Sequence, residues 1–552
     1  MKGEAWMLKR FLAIMIIAIL VLLCSCKSGN VTSTPDSSND DTTVDTNPIK
    51  ITLLYNATDS LNPYEASTLL NRQLSLLIFD SLVRLTPTNQ PEYVLAESID
   101  LVGKQCTVTL KKVMFSDGSA VTANDVVYSF NLAKKSSTVY ATQLATAKSI
   151  SANEDGSLSI LLSKADPYFT NLLDFPVIKA ESDKLTDENK RELPPIGSGR
   201  YIPQTESSQL TANLNHILGA ALCTTIELIN SPDNAVASYN LQSGNVSIYS
   251  TELEDGKIPS MTGNSYNTNL NNLVYLGVNL NDSVLKSEKM RYAISDAINR
   301  SDICQKAYHS FATAATGIFN PLWNDAKGLQ NLSSSNNLQN VIAYLEELGY
   351  NTKDNEGYYL NSKGKRLSFD LVCNSDNERR MAAAELIKQQ LSSAGIEINI
   401  RSLKWEAYKL ALSSGDFDLY IAETRLLNNM DITELVKPGA SLAFGIVKPV
   451  TEDSEQSGDG SAVSDQNKKE VTESTDSSDQ TQASLQTTWN AVNGFYNEKF
   501  SLVDIINNFN AEMPLIPICY RSGLTVTSSA FNAEGISSVT DAYYGISTLK
   551  NN

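Results

Sequence analysis

An α/β fold is predicted by this sequence on three observations. Short runs with an apolar residue at every second position alternate with longer runs whose apolar residues recur at three and four, the pattern of strands interleaved with helices. Glycines and Asn, Asp or Ser clusters punctuate these runs where short connections belong. At 552 residues, 42% of them hydrophobic, the chain has material for more than one well-filled core.

Taken in order, Ile51, Leu53 and Tyr55 alternate as a strand, Asn62-Pro63 breaks it, and a helix is expected from Leu69 to Phe79. Cys106, Val108 and Leu110 alternate with Thr107, Thr109 and Lys111 as a half-buried strand, and Ser116-Asp117-Gly118 makes a turn. Thr122, three residues before Asp125, is a capping-box start for a helix from Val126 to Ala133. Further along, Leu338, Val341, Ile342, Leu345 and Leu348 recur at helical spacing and Gly349 stops them. Leu367, Phe369, Leu371 and Cys373 form the next strand; Met381, Ala384, Ile387 and Leu391 mark a helix closed by Gly395; Ile396, Ile398 and Ile400 give another strand. Strand, helix, strand with short loops is a parallel βαβ unit, and an α/β sheet offers its ligand cleft at the carboxyl ends of such strands.

The two ends of the globular pattern are equally marked. Lys9 and Arg10 precede an uncharged run from Phe11 to Leu23, too short for a spanning helix of about 20 residues but of secretory-signal length. It ends in Leu23-Cys24-Ser25-Cys26, which resembles the bacterial lipobox; residues 1–25 are then a lipoprotein signal peptide, and Cys26, preceded by the small Ser25, is the acylated residue, with Cys24 the alternative. Residues 26–47, rich in Ser, Thr, Asp and Asn and free of aromatics, form a disordered tether of roughly 25 Å as a random coil. A second such stretch is expected at 446–489: between Thr451 and Gln480 it carries nine acidic residues and two lysines. Structure resumes near Trp489 and runs through the apolar strand Pro514 to Ile518.

Composition excludes several functions. A net charge of −18 repels phosphate backbones, so nucleic acid is not an expected partner. His216 and His309 stand in no metal-ligand spacing, and the five cysteines beyond the N-terminal pair (Cys106, Cys223, Cys304, Cys373, Cys519) read as small buried apolar residues. No Gly-x-Ser-x-Gly elbow or His-Glu-x-x-His occurs, so no hydrolase, metal or cofactor chemistry is expected.

Several segments in order resemble the family 5 extracellular solute-binding proteins, which include the oligopeptide- and dipeptide-binding lipoproteins of ABC importers. They are Leu61-Asn62-Pro63; Leu110 to Gly118 leading into Thr122 to Phe130; Pro195-Ile196-Gly197-Ser198-Gly199-Arg200-Tyr201, with Arg200 where the family's turn usually has proline; Ala297-Ile298-Asn299-Arg300; and Gly415-Asp416-Phe417-Asp418. The resemblance implies a two-lobe periplasmic-binding-protein-like fold (type II, cluster C) with a hinge and an interlobe cleft. The first lobe takes 48–270 and is completed by 490–552; the second takes 271–445. It further implies a monomeric receptor on the outer face of the membrane, periplasmic in a Gram-negative source, that hands short peptides to permease and ATPase subunits and leaves them chemically unaltered. Nickel chelates, sugars or opines are bound by relatives, and a ligand sensor for signalling is the other open reading.

In peptide-binding members an aspartate on the second lobe pairs with the ligand's amino terminus. The matching position is Asp431 in Asn429-Met430-Asp431, though Ile432 stands where the family has proline, and a solvated loop aspartate is the alternative. Arg425 is a candidate for a ligand carboxylate, against an ion pair with Glu423 or Asp431. Trp405 is a candidate pocket wall or else lobe core, and Asn62 and Tyr64 face the cleft or simply form a turn. Ser198 offers donors near the crossing strands, or its glycine neighbours serve chain geometry alone.

Overall fold

The computed structural model describes residues 50–551 apart from 205, 255–256 and 447–486. The signal run, Cys26, the tether and almost all of the acidic stretch therefore lie outside the described residues.

The first lobe is built on two four-stranded sheets. Strand Ile51–Tyr55 runs parallel to Thr225–Asn230, which continues antiparallel through Gln209–Ala212 to Tyr201–Gln204. The second sheet is antiparallel throughout, in the order Ala96–Val102, Gln105–Leu110, Leu158–Leu162, Ala147–Ala152. Helices Leu69–Ile78 and Ala123–Lys135 supply Leu74, Leu77, Val126 and Phe130 to the shared core. The expected capping box is present: the Asp125 carboxylate accepts from the Thr122 N–H at 2.9 Å and from its hydroxyl at 2.6 Å.

The second lobe holds the βαβ unit. Strand Ser368–Asn374 lies parallel to Glu397–Leu403, with Phe369 opposite Ile398 and Leu371 opposite Ile400, and helix Glu378–Ser393 crosses between them. Gly395 ends that helix at a φ of 87°, where an added Cβ would meet the Tyr359 ring at 2.8 Å. Strand Leu419–Arg425 joins Ser368–Asn374 in parallel and pairs antiparallel with Asn264–Val278.

Two long strands carry the chain between the lobes. Asn264–Val278 and Leu515–Thr527 pair with each other antiparallel along their length, touching Ile248–Thr251 at one end and the second-lobe sheet at the other. Their register shifts between Thr268 and Asn272, opposite Gly523 and Arg521, so a bulge marks the crossing.

This pairing divides the tail that the first lobe was expected to receive whole from 490 onward. Helix Thr488–Phe495, which begins within the span expected to be insertion, packs with Leu502–Glu512 in one core with Tyr275 and Tyr420 of the second-lobe sheet and Tyr408 of helix Trp405–Ser414. Only the last stretch returns, where Phe531, Ile536, Tyr543, Ile546 and Leu549 join the first-lobe core. The physical reason is that a sheet with parallel strands must be covered on both faces. Helices Glu288–Ala297 and Glu378–Ser393 cover one, and the two late helices cover the other. All five cysteines in the described residues are buried.

Candidate ligand cavity between the lobes

A cavity of about 330 Å³ opens where the crossing strands meet both lobes. Its first-lobe wall is the inner face of helix Leu69–Ile78 with Tyr140, Gln143 and Asp174; its second-lobe wall is Arg425 to Asn428; Ser250 to Glu252, Thr268 and the tail residues Ser538 to Thr540 complete it. Small-ligand sites occupy roughly 300–1,000 Å³, which puts this one at the lower end.

The charges on its walls differ in how they are satisfied. Arg425 makes a two-pronged pair with Glu252 at 2.9 and 3.2 Å, not with Glu423 or Asp431. Glu423 is instead held by Arg521 at 2.6 Å and by Asn272 at 2.9 Å; against burial, which would raise its pKa, these two keep it below the ordinary carboxylate range. Arg72 is exposed at the rim and enters no ion pair among the described residues. Asp174 is buried, accepts hydrogen bonds from Gln143 Nε2 at 2.7 Å and Asn428 Nδ2 at 3.1 Å, and likewise has no ion pair among the described residues. Burial pushes its pKa up to about 6, tempered by the Gln143 hydrogen bond.

Of the seven ligand-binding residues expected from the sequence, Arg425 alone lines this cavity. Asp431 and Asn429 sit beside it on the seam where the lobes touch. Lys164 bridges to the Asp431 carboxylate at 2.7 Å and lies 3.4 Å from the Tyr496 ring centroid, while Asn429 Nδ2 donates to Asp166 at 2.7 Å. Tyr168 of the first lobe fits edge-on against Trp323 at 4.8 Å and stacks over Phe495 at 6.2 Å. Between Asn429 and Asp431, the buried Met430 takes a φ of 56°, a strained conformation that the seam contacts hold in place.

The remaining candidates stand outside. Trp405 is 46% exposed on the first turn of its helix, stacked on Tyr408 at 5.8 Å. Tyr64 is buried, donates its hydroxyl to the Pro176 carbonyl, and packs behind the wall residue Tyr140 at 6.2 Å. The Asn62 side chain accepts from the Tyr64 N–H at 3.1 Å, as a turn requires. Ser198 donates to Asp80 at 3.0 Å, and His216 meets the other oxygen of the same carboxylate at 3.2 Å. The carboxylate thus separates serine from imidazole, the reverse of the order a nucleophilic triad needs. Gly199 beside it passes so close to the Leu69–Ile78 helix that a Cβ would stand 2.4 Å from the Ile78 carbonyl carbon.

Sequence reasoning missed Asp174, Gln143, Glu252 and Arg72. Asp174 carried a signal, a lone acid within Leu172-Leu173-Asp174-Phe175, since a carboxylate in an apolar run is buried only with partners. Among the described residues no three His, Cys, Asp or Glu side chains stand together as a metal site, and no helix is long and apolar enough to cross a membrane.

Residues 90–429, more than half of the chain, match the model of bacterial extracellular solute-binding proteins, family 5 Middle, and the chain belongs to that family. The oligopeptide-binding protein AppA of Bacillus subtilis is 26% identical over 442 residues, covering 76% of this chain and 80% of that protein. In fold the chain is similar to a nickel ABC transporter protein from Bacillus halodurans (TM-score 0.69, 19% identity, 91% of this chain and 99% of the other). It is also similar to the murein tripeptide binding protein MppA in its unliganded open form (TM-score 0.68, 17% identity, 92% and 98%). As an extracellular solute-binding protein, the chain acts outside the cytoplasm by holding a solute.

Proposed function

We propose that this family 5 solute-binding protein captures short peptides in the interlobe cavity and delivers them, chemically unaltered, to the permease and ATPase subunits of an ABC importer. One observation carries the reading: a cavity walled by both lobes presents a rim cation, Arg72, and a buried carboxylate, Asp174, neither of which has an ion pair among the described residues. A short zwitterionic chain satisfies both. Arg72 and Asp174 both stand on the first-lobe wall; a ligand seated on them also meets Arg425 to Asn428 of the second lobe, so only the arrangement with the lobes together makes all the contacts, and binding selects that arrangement. The modest volume suits a ligand of a few residues. The name of the Bacillus subtilis relative supports peptide as the ligand class, and anchoring through Cys26 would keep the monomeric receptor at the outer face of the membrane. The nickel-named neighbour offers likeness of fold alone.

The test is native mass spectrometry of the purified protein incubated with an equimolar pool of di- to pentapeptides. Intact peptides are expected to be retained and returned with unchanged masses. Retention of a metal chelate or sugar in preference to every peptide, or recovery of cleaved peptides, overturns the reading. Arg72→Met is expected to weaken retention by less than tenfold, since an exposed ion pair contributes about 1 kcal/mol at most, and the loss should shrink as salt rises.

A further inference from the structure

We infer that Asp174 on the first lobe, rather than Asp431 on the second, receives the ligand's ammonium group, so that the cavity selects ligands with a free cationic amine. This rests on the peptide reading above and assigns the orientation of the ligand within it.

Asp431 is already spoken for. Lys164 holds one of its oxygens at 2.7 Å, and the other accepts the Thr433 N–H at 2.8 Å and the Thr433 hydroxyl at 2.5 Å. A ligand ammonium arriving there would have to displace a lysine that also rests on the Tyr496 ring. Asp431 is also absent from the cavity wall.

Asp174 is in the opposite condition. It lines the cavity, is buried, and its side-chain hydrogen bonds come from neutral groups, the amides of Gln143 and Asn428 and the hydroxyl of Thr540. An ionised carboxylate accepts about four hydrogen bonds and in a dry setting calls for a cation. A ligand ammonium supplies the charge, which none of these three donors carries, together with a further N–H. On the same wall Gln73 is buried and its Oε1 has no hydrogen-bond partner among the described residues, an acceptor well suited to another N–H of the ligand.

The two amides also tie recognition to lobe position. Gln143 belongs to the first lobe and Asn428 to the second-lobe loop, so the carboxylate that would hold the ammonium is itself bonded from both sides of the cleft. Asn428 contributes further through its carbonyl, which accepts from Asn89 at 2.7 Å and Asn171 at 3.2 Å of the first lobe. An ammonium placed at Asp174 completes a network that exists only when the lobes are together.

The experiment compares a pool of tripeptides with its N-acetylated counterpart on wild-type protein, Asp174→Asn and Asp431→Asn, reading affinity by calorimetry and folding by circular dichroism. In wild type, acetylation is expected to weaken binding on the order of a hundredfold, the scale of charge-assisted hydrogen bonds. Asp174→Asn should lose that discrimination, binding free and acetylated pools equally weakly, while Asp431→Asn should keep it. If Asp174→Asn fails to fold, the wild-type comparison and the Asp431→Asn arm still decide. Equal binding of both pools by wild type, or discrimination lost in Asp431→Asn, overturns the assignment while the peptide reading stands. Retention of neither pool by wild type sinks the peptide reading itself.

Discussion

Replacing Arg200 by alanine is expected to lower the stability of the protein by about 3–5 kcal/mol, the loss typical of breaking a buried ion pair from one side. Arg200 follows the Gly-Ser-Gly turn where the family usually places proline, and its guanidinium shows what the departure achieves. It donates to the carbonyls of Tyr543 at 2.8 Å, Tyr544 at 3.0 Å and Leu76 at 3.2 Å, and pairs with Asp541 at 2.8 Å; the guanidinium, Asp541 and Tyr543 are buried, Tyr544 and Leu76 partly so. One side chain therefore fastens the returning C-terminal segment to the first lobe. Alanine strands the buried Asp541 carboxylate and takes a donor from three main-chain carbonyls, of which that of Tyr543 is buried. Urea titration should give a midpoint shifted to lower concentration with an unchanged slope. The double variant Arg200→Ala/Asp541→Ala should lose less than the sum of the two singles, because the uncompensated charge has gone with its partner. Additive losses would mean that the two residues act independently and that the tail is held by its apolar contacts alone.

The same turn shows what was legible beforehand. The local pattern Gly-Ser-Gly announced a close approach of backbone, and the Gly199 position against Ile78 explains it; nothing nearby in sequence announced that Arg200 would reach a segment more than 340 residues away. The βαβ unit was readable because its signals are local: alternation in Phe369 and Leu371, helical spacing from Met381 to Leu391, a stop at Gly395. The cavity was not, because its walls come from segments that meet only in three dimensions. Arg425 was weighed against Glu423 and Asp431, its sequence neighbours, but the partner is Glu252, 173 positions away. Asp431 lay on the expected loop, but Lys164, 267 positions upstream, neutralises it. Periodicity reports which face of an element is buried; it carries no information about which distant loop supplies the opposite charge.

At the seam, Asp166→Asn is expected to make the protein more stable near neutral pH and to leave it unchanged in acid. Asp166 is 1% exposed and faces Asn429, Lys164, Asp431 and Tyr496. Burial pushes its pKa from the ordinary 3.8 up to about 6, against the hydrogen bonds from Asn429 and the Tyr168 N–H. Between these two values the folded protein keeps a proton that the unfolded chain has released. The contribution of this group to stability therefore falls as pH rises through the window; the full penalty is present above about 6 and absent below about 4. Two units correspond to about 3 kcal/mol as an upper bound. Asparagine has the same shape, keeps an oxygen for the Tyr168 N–H, and carries no charge to desolvate, while the Asn429 amide can turn to meet it. Asp174 shares the direction of the shift, and Asp117, held low to about 2 with Lys179 beside it despite some desolvation, adds a slope of opposite sign. Both cancel in the difference between variant and wild type. Urea titrations should show that difference growing from near zero at about pH 4 to about 2–3 kcal/mol at about pH 7.5. A difference that is flat with pH would mean that Asp166 stays ionised in the fold, so that Lys164, shared between two carboxylates, governs the seam rather than burial.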